Sequence, residues 1–477
     1  MRPSTTPSSG RSVAIIGGGV AGMSAACALA ESGFRVHLIE RRGYLGGRAS
    51  SYLHPGVNEV IDNCQHVLFG CCTNLRGFYK RIGVENRIHW TAGMTMIEPG
   101  GRRSRLGPTF PPLPAPLHGA LSFLTADAFT LGDKLAIGHA IRAMMRPDEF
   151  LGSHESLGDW LRRHRQTPGA MNRFWRLVIA SALNAEIDDC SVYYAAKVVR
   201  ELFLNSVEAG SMGMSTVPLR ELYSPVADYV ASRGGRVSLN TAVDGASWDD
   251  AAQSWTVITR SAGEGARSVK SEFVIAALSF EAMGKLLPAL PAAPGTAMLA
   301  EQIANLVHWP ICSVHLWFDR EITDLEHAVL LDREIHWLYN QSKLQSRPGN
   351  YVELVVSATR VFAALPREAA IDQALRELAE YFPLVRQAKV DKVAFIKEVR
   401  ATFGVPPGVS ANRPDDISPW PKFYLAGDWA DTGWPSTMES AARSGHLAAE
   451  ELGSEAEVPL SCFENDLAPR GLMRFVK

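Results

Sequence analysis

The sequence predicts an α/β protein in which a discontinuous, mostly parallel sheet is joined by a second domain of α+β type. The chain has 477 residues, more than the roughly 250 to 300 residues that one hydrophobic core usually supports. Short apolar runs typical of strands buried on both faces of a parallel sheet occur near the start, in the middle and near the end of the chain. The first and the last of these runs each lead into a glycine turn with a helix after it.

The composition is that of a folded protein with a net charge close to zero. Hydrophobic residues make up 46% and charged residues 21% of the chain, which excludes collagen-like, disordered and coiled-coil proteins. Forty-eight basic and 50 acidic residues give a net charge of -2, so we expect no nucleic-acid partner. Seven cysteines without a CxxC pair or a zinc-type spacing favour a reducing, cytoplasmic location and no metal site.

The first predicted strand, Val13–Ile16, runs directly into a glycine turn. The turn fits G-x-G-x-x-G, in which Gly17 makes the tight bend, Gly19 admits a pyrophosphate and Gly22 lets the following helix pack close to the strand. The start of that helix, at Val20 and Ala21, offers free N–H groups to phosphate oxygens.

A second strand, Arg35–Ile39, ends at Glu40, which stands about 20 residues beyond the turn, the spacing of an acid that binds an adenosine ribose. Strand, turn, small-residue helix, second strand and terminal acid occur in the order of a Rossmann-type βαβ unit. We therefore predict a Rossmann-type dinucleotide-binding domain.

The residues after Glu40 resemble the large flavoprotein group of amine oxidases and carotenoid desaturases. In this stretch Arg41 is followed by a second glycine pair, Gly46-Gly47, and then by Arg48. The resemblance implies FAD rather than NAD. Glycines at these positions let the backbone pass close to the flavin side of the cofactor, and Arg48 can face the pyrophosphate or packed carbonyls.

A further buried strand, Phe423–Ala426, ends in Gly427-Asp428 near the other end of the chain. In the same flavoprotein group an acid here holds the ribityl chain, a role that the resemblance gives to Asp428. Ser436-Thr437-Met438-Glu439 fits a capping box, with serine at the cap and glutamate at the third helical position. The helix is expected to stop at Gly453 and to turn its positive end, near Thr437 and Met438, toward the flavin.

Two remote cofactor motifs imply domains built from alternating segments, and the ends of the chain are expected to be tails. The FAD-binding domain is assigned residues 11–94, 211–284 and 416–455, with the backbone of Val243 against the adenine. The α+β substrate domain is assigned residues 95–210 and 285–415. Residues 1–10 and 456–477 are the tails.

A narrower resemblance begins at Asp62-Asn63-Cys64-Gln65-His66, which should lie beneath the isoalloxazine ring. The sequence is similar to the hydroxysqualene dehydroxylases, squalene-associated FAD-dependent enzymes of bacterial squalene and hopanoid synthesis. That family carries Asp-Asn-Gly-Gln-His here, and also a Trp-rich segment like Asn172–Trp175, a stretch like Leu183-Asn184-Ala185 and a closing motif like Leu425–Trp429. The likeness covers about residues 12 to 453. Cys64 and Ser440 stand where glycine is usual.

This resemblance implies that hydroxysqualene loses its hydroxyl and receives a hydride from FADH2, giving squalene, FAD and water. Hydroxide is a poor leaving group, so an acid must protonate it. His66 is our candidate, oriented or charged by Asp62 and flanked by Gln65, although a purely structural histidine explains it equally well. Trp175, Trp309, Trp317 and Trp337 are candidates for steadying a cation, against a default of core packing.

The apolar, proline-rich segment Phe110–Leu117 has two interpretations: a rim for a lipid lying in the membrane surface, or a stiff loop packed on the protein. The first interpretation would place the protein at the inner face of the cytoplasmic membrane. The sequence holds no second G-x-G-x-x-G between a strand and a helix, so the electron donor stays open.

Three alternatives remain. A carotenoid-type desaturase or isomerase shares the cofactor frame and a polyisoprenoid substrate. An amine oxidase fits less well, because that group usually has an aromatic residue where this chain has Thr437. A flavin-less prenyl-lipid escort protein is opposed by the intact Gly17, Gly19, Gly22, Glu40 and Asp428.

Overall fold

The computed structural model describes residues 10–109, 113–263 and 265–476. The strands in these ranges are β1 (Ser12–Ile16), β2 (Arg35–Ile39), β3 (Ser51–His54), β4 (Glu59–Asp62), β5 (Val67–Phe69), β6 (Ile88–Thr91), β7 (Met94–Ile97), β8 (Arg103–Leu106), β9 (Met212–Ser215), β10 (Arg236–Ser238), β11 (Thr241–Asp249), β12 (Ser254–Ser261), β13 (Arg267–Ser271), β14 (Phe273–Ala277), β15 (His308–Phe318), β16 (His327–Leu330), β17 (Trp337–Asn340), β18 (Asn350–Val356), β19 (Val390–Phe403) and β20 (Phe423–Ala426).

The α-helices in the same ranges are α1 (Val20–Glu31), α2 (Thr73–Arg81), α3 (Ala120–Thr125), α4 (Leu131–Ala143), α5 (Leu157–Arg163), α6 (Pro168–Ala170), α7 (Arg176–Leu183), α8 (Val192–Val198), α9 (Leu219–Tyr223), α10 (Pro225–Ala231), α11 (Phe280–Leu286), α12 (Thr296–Ala304), α13 (Gln341–Leu344), α14 (Arg360–Ala364), α15 (Arg367–Tyr381) and α16 (Met438–Glu455). Two π-helical segments, Met171–Trp175 and Val199–Leu204, continue α6 and α8.

A five-stranded parallel sheet is the centre of the fold, in the order β10-β2-β1-β14-β20. Its strands β1, β14 and β20 are almost wholly buried, which suits their runs of Val, Ile, Ala and Leu. The strands come from three remote stretches of the chain. The predicted discontinuous parallel sheet is therefore confirmed, as is the α/β fold class.

Helices α1 and α16 pack against each other with unusually close backbones. A Cβ added at Gly445 in α16 would lie 2.2 Å from the carbonyl oxygen of Ala21 in α1. The predicted stop of this helix at Gly453 is wrong, because α16 continues to Glu455. Gly453 is instead a packing position, where a Cβ would lie 1.8 Å from Leu460 Cδ1.

A seven-stranded sheet forms the second layer, in the order β19-β15-β18-β17-β16-β7-β8. Its pairs are antiparallel except for β16 with β7. The proposed division into domains stays a prediction. No helix in the described part of the chain is long and apolar enough to cross a bilayer, and no cluster of His, Cys, Asp and Glu there has the arrangement of a metal site.

Candidate active site

One cavity of about 1230 Å³ begins at the glycine turn after β1 and extends beneath the seven-stranded sheet. Nearly all of the predicted cofactor residues line it: Gly17, Gly19, Val20, Ala21, Glu40, Arg41, Gly46, Gly47, Arg48, Val243, Gly427, Asp428, Thr437 and Met438. Of the predicted catalytic residues, Gln65 and His66 line the cavity and Asp62 does not. The amino-terminal and carboxy-terminal cofactor motifs, which are far apart in sequence, therefore line the same cavity.

The three glycines of the first turn have different surroundings. Gly17 has a φ of +110°, and a Cβ there would lie 2.3 Å from the carbonyl oxygen of Ala277. A Cβ on Gly22 would lie 1.9 Å from the carbonyl oxygen of Gly17, so this glycine sets how closely α1 meets the turn. A Cβ on Gly19 would meet no described atom within 4 Å and would enter the cavity, where a phosphate must approach the backbone.

Glu40 is held at the end of β2 by two backbone N–H groups. Gly18 N donates to Oε2 at 2.7 Å, and Arg42 N donates to Oε1 at 2.7 Å. Because these bonds fix the carboxylate at the cavity wall, its remaining acceptor capacity can serve the hydroxyls of a ribose.

The glycine pair Gly46-Gly47 packs against the first glycine turn. Gly46 (φ +112°) and Gly47 (φ +64°) are both in the region that favours glycine, and Gly46 N donates to the carbonyl of Gly18 at 2.8 Å. A Cβ on Gly47 would lie 3.1 Å from the Cα of Gly19. Backbone alone therefore forms this part of the cradle.

Arg48 and Asp428 join the amino-terminal and carboxy-terminal motifs through an ion pair. Arg48 Nη2 donates to Asp428 Oδ1, and Arg48 Nη1 donates to the carbonyl of Ala401 at 3.0 Å. Ser436 Oγ donates to the other oxygen of Asp428. A ribityl hydroxyl bound at Asp428 would share the carboxylate with these two donors.

A buried arginine, Arg413, shapes the loop that carries Asp428. Its guanidinium donates to the carbonyls of Asp428 at 3.1 Å and Trp429 at 3.3 Å, and to the hydroxyl of Tyr194 at 2.7 Å. Ser440, which departs from the usual glycine, donates its hydroxyl to the same Asp428 carbonyl at 3.0 Å. Sequence reasoning missed Arg413, because a lone arginine carries no signal of what it will meet.

Replacing Arg413 by methionine is expected to lower the free energy of unfolding by about 3 kcal/mol, because several buried carbonyls lose their donor. The flavin content of the purified protein should fall with it, since the loop no longer presents Asp428. Chemical denaturation and flavin absorbance measure the two effects. The control is Arg260→Met, at an arginine whose side chain is 63% exposed, and it should change neither the flavin content nor the free energy of unfolding. An Arg413 variant with full flavin content and unaltered stability would show that Arg413 does not hold the loop of Asp428.

The helix start after Asp428 differs from the predicted capping box. Thr437, not Ser436, is the cap, and its Oγ1 accepts a hydrogen bond from Ser440 N at 3.1 Å. The carboxylate of Glu439 instead accepts from Asn74 N at 3.1 Å and Leu75 N at 2.9 Å, at the start of α2. The amino terminus of α16 still faces the cavity, because Thr437 and Met438 line it.

His66 lies in the cavity wall as a neutral imidazole. Its Nδ1 lies 2.6 Å from the carbonyl of Cys64, which can only accept, so Nδ1 carries the proton and Nε2 is an acceptor. Burial, together with the positive charge of Arg48, lowers the pKa of His66 to about 4, although the hydrogen bond to Cys64 acts to raise it. A neutral His66 offers an acceptor at Nε2, which differs from the predicted role as an acid.

Asp62 does not orient His66, contrary to the prediction. Its oxygens accept from the hydroxyl of Ser51, from Leu219 N at 3.1 Å and from Gln345 Nε2 at 3.2 Å. Burial raises the pKa of this carboxyl. Asp62 thus ties β4 to β3 and α9 behind the cavity.

Gln65 is held by two buried residues that sequence reasoning missed. Gln65 N donates to Glu353 Oε1 at 2.6 Å, and Gln341 Nε2 donates to Gln65 Oε1 at 2.7 Å and to Glu353 Oε2 at 2.8 Å. Burial raises the pKa of Glu353 to about 8. These contacts, from β18 and α13, fix the segment that carries His66.

Glu201 is a further residue that sequence reasoning missed. It lies on the π-helical segment Val199–Leu204, lines the cavity and is almost wholly buried. Asn205 Nδ2 donates to its Oε2 at 2.8 Å. Burial, reinforced by Asp466, raises the pKa of Glu201 to about 7 although Lys197 opposes the shift. A carboxyl with this pKa can release a proton near neutral pH.

The remaining wall is apolar and leaves few polar contacts for a ligand. Its apolar side chains include Met94, Met96, Leu106, Phe123, Phe174, Leu177, Val178, Leu183, Phe203, Met212 and Trp337. Trp175, Trp309 and Trp317 are buried outside this lining, as core packing predicts. Asn184 ends α7 at a φ of +51° and donates to Thr402 Oγ1 at 3.0 Å, which explains an asparagine after Leu183.

Residues 20–453 match the protein family described as flavin containing amine oxidoreductase. A 15-cis-phytoene desaturase of Synechococcus elongatus is 27% identical over 460 residues, which cover 92% of this chain and 95% of that protein. A zeta-carotene desaturase of Arabidopsis thaliana is 26% identical over 483 residues, which cover 93% and 86%.

Solved structures with the same fold include an oxidoreductase from Methanosarcina mazei, with a TM-score of 0.70 and 16% identity over 93% of this chain and 100% of that chain. Cyclohexylamine oxidase from Brevibacterium oxydans has a TM-score of 0.65 and 19% identity over 94% and 100%. Because both sequence identities are low, these two structures establish the fold alone. The family match spans most of the chain, and the glycine cradle with the acid after β2 suits FAD, the cofactor of that family. Curated relatives of the chain include carotenoid desaturases. The chain therefore belongs to the flavin-containing amine oxidoreductases.

Proposed function

We propose that the protein removes the hydroxyl group of hydroxysqualene reductively and yields squalene. One observation carries the proposal: the cavity is lined by a buried carboxyl, Glu201, whose pKa is raised by burial to about 7. Loss of a hydroxyl needs an acid, whereas removal of hydrogen from a hydrocarbon does not. The sequence resemblance at Gln65-His66 and Leu183-Asn184 supports the same substrate.

The proposed chemistry balances with one proton and one hydride. His66 Nε2 accepts the hydrogen of the substrate hydroxyl and positions it. Glu201 donates a proton to that oxygen, the allylic C–O bond breaks, and water leaves. FAD held by the glycine cradle, Glu40 and Asp428 would supply, in its reduced form, the hydride for the new C–H bond, so that two electrons would pass from cofactor to substrate. The apolar wall excludes bulk water from the transient allylic cation, and the ring face of Trp337 can stabilise it by about 2 kcal/mol.

The direct experiment is anaerobic incubation of the chemically reduced holoprotein with hydroxysqualene, followed by product analysis. We expect squalene to form in step with flavin reoxidation. If the flavin stays reduced and hydroxysqualene is recovered unchanged, the proposal is wrong. A reaction with Glu208→Gln protein serves as the matched control, because this glutamate pairs with Arg76 and Arg470 and does not line the cavity.

The second candidate is desaturation of a polyisoprenoid hydrocarbon, which the phytoene and zeta-carotene desaturases among the relatives favour. It runs the electrons in the opposite direction, from substrate to flavin. Incubation of oxidised holoprotein with phytoene would then reduce the flavin and produce a polyene that absorbs at longer wavelength. Reduced holoprotein would leave hydroxysqualene intact. The same protein preparation decides between the two.

Replacing His66 by asparagine is expected to slow turnover about tenfold, the effect of one lost hydrogen bond to the substrate. The asparagine amide can still donate to the Cys64 carbonyl, as Nδ1 does, but it places no acceptor where Nε2 lies. Flavin content should therefore be unchanged, and His66→Gln should recover part of the rate because its amide oxygen reaches further into the cavity. Equal rates for wild type and both variants would remove His66 from the reaction.

A further inference from the structure

Exposed large apolar side chains are concentrated on one surface, formed by three segments. The first is the chain from Leu113 through α3, the second is the start of α4, and the third is the 3-10 helix Gly471–Phe475. We call this surface the leucine face. Its exposed members are Leu113, Leu117, Leu121, Leu124, Leu131, Leu135, Leu472 and Phe475.

Hydrogen bonds link the three segments to one another. Lys134 Nζ, on α4, donates to the carbonyl of Leu124 at 2.7 Å. Leu472 N donates to the carbonyl of Ala115 at 2.7 Å. The spacings of Leu117, Leu121 and Leu124, and of Leu131 and Leu135, are those of residues on one side of a helix. Leu131 is 69% exposed and Phe475 is 80% exposed, far from the core packing that such side chains usually find.

The leucine face borders the cavity at α3 and at the residues just before it. Helix α3 turns Leu121 and Leu124 outward, while Ser122 and Phe123 line the cavity. Leu117 is exposed and lines the cavity as well, so it stands at the rim. Of the segment Phe110–Leu117, Pro116 and Leu117 line the cavity, whereas Phe110, Pro111 and Pro112 lie outside the described residues. Its role as a rim for a lipid stays a prediction.

Two arginines give the face a positive edge. Arg142 is exposed at the cavity wall, and Arg474 is exposed between Leu472 and Phe475. Neither forms an ion pair with any residue that the structure describes. An apolar surface edged by cations matches the acyl layer and the anionic head groups of a lipid bilayer, where each basic residue contributes about 1 kcal/mol.

We propose that the leucine face docks on an anionic membrane surface, so that a polyisoprenoid passes from the bilayer into the cavity without crossing water. The inference deepens the proposed function, since it rests on a water-insoluble substrate. Docking itself requires no catalysis and is tested apart from it.

The test is flotation of the full-length holoprotein with substrate-free vesicles of phosphatidylcholine and phosphatidylglycerol. The triple variant Leu131→Gln, Leu135→Gln, Phe475→Gln should bind about 100-fold more weakly, because three apolar side chains no longer enter the acyl layer. Arg474→Gln should weaken binding about fivefold on anionic vesicles and leave binding to pure phosphatidylcholine unchanged. The matched control replaces three exposed apolar residues elsewhere, Leu53, Met298 and Val361, by glutamine and should bind like wild type.

Equal flotation of wild type and the triple variant would overturn the proposal. So would a lipid-free dimer that the triple variant abolishes, because the face would then join two copies of the chain. Activity separates docking from chemistry: the triple variant should act normally on detergent-dissolved hydroxysqualene and slowly on vesicle-embedded hydroxysqualene. If flotation follows the prediction while no hydroxysqualene is converted, docking stands and the proposed reaction fails.

Discussion

A Gly19→Val variant is expected to fold and to be colourless. The backbone of Gly19 (φ -74°, ψ 179°) suits any residue, and a Cβ there meets no described atom within 4 Å. The branched side chain would instead fill the space where the pyrophosphate approaches the backbone. We expect the affinity for FAD to fall at least about 100-fold, which corresponds to about 2.7 kcal/mol.

Flavin absorbance of the purified protein and titration of FAD into stripped protein measure this loss, and circular dichroism checks the fold. Gly265→Val is the matched control, because Gly265 also has open space around its Cβ position but does not line the cavity. Gly22→Val should behave differently from both. Its side chain would collide with Gly17, so the variant should fail to fold. A yellow Gly19→Val protein with normal affinity would show that the cofactor lies elsewhere.

A Glu201→Gln variant is expected to lose turnover by about 100-fold, the lower end of the range for a general acid. Glutamine has the same shape and can still meet Asn205, so flavin content and stability should stay near wild type. Single-turnover reoxidation of the reduced flavin by hydroxysqualene isolates the chemical step. The Glu208→Gln variant, at a glutamate that does not line the cavity, should be unaffected.

The pH profile distinguishes an acid from a packing residue. Burial raises the pKa of Glu201 to about 7, so the carboxyl is mainly protonated below pH 7 and loses the proton above it. The wild-type rate should therefore be highest below pH 7 and fall about tenfold per pH unit well above it. The rate of Glu201→Gln should be low and flat across this range. A parallel fall in the variant would assign the titration to another group.

The cofactor cradle could be predicted from sequence because its parts follow each other along the chain. Gly17, Gly19, Gly22 and Glu40 act within one βαβ unit, and their spacing fixes the geometry. Asp428 was accessible through resemblance, since a buried strand and a following acid are a local pattern. The structure adds what no local pattern contains: Arg413, over ten residues away, holds the loop of Asp428.

The part of the cavity wall that holds His66 and Glu201 was predicted less well, because its electrostatics depend on burial and on remote partners. His66 follows Asp62 closely in sequence, yet β4 turns the carboxylate toward Ser51 and Leu219 instead. Glu439 fits a local capping pattern, but its carboxylate reaches the start of α2, which competes for the same acceptor. Glu201 looks like an ordinary surface glutamate in sequence, and only the fold removes it from water and moves its pKa.

The parallel sheet takes its last strand, β20, from residues 423–426, after most of the polypeptide has been made. During synthesis one edge of β14 therefore stays unpaired until β20 emerges, and such an apolar strand edge is prone to aggregation. Helix α16 then closes over α1 at Gly445, which completes the flavin pocket. A polypeptide shortened before β20 would also lack Asp428 and α16, so we expect it to bind no FAD.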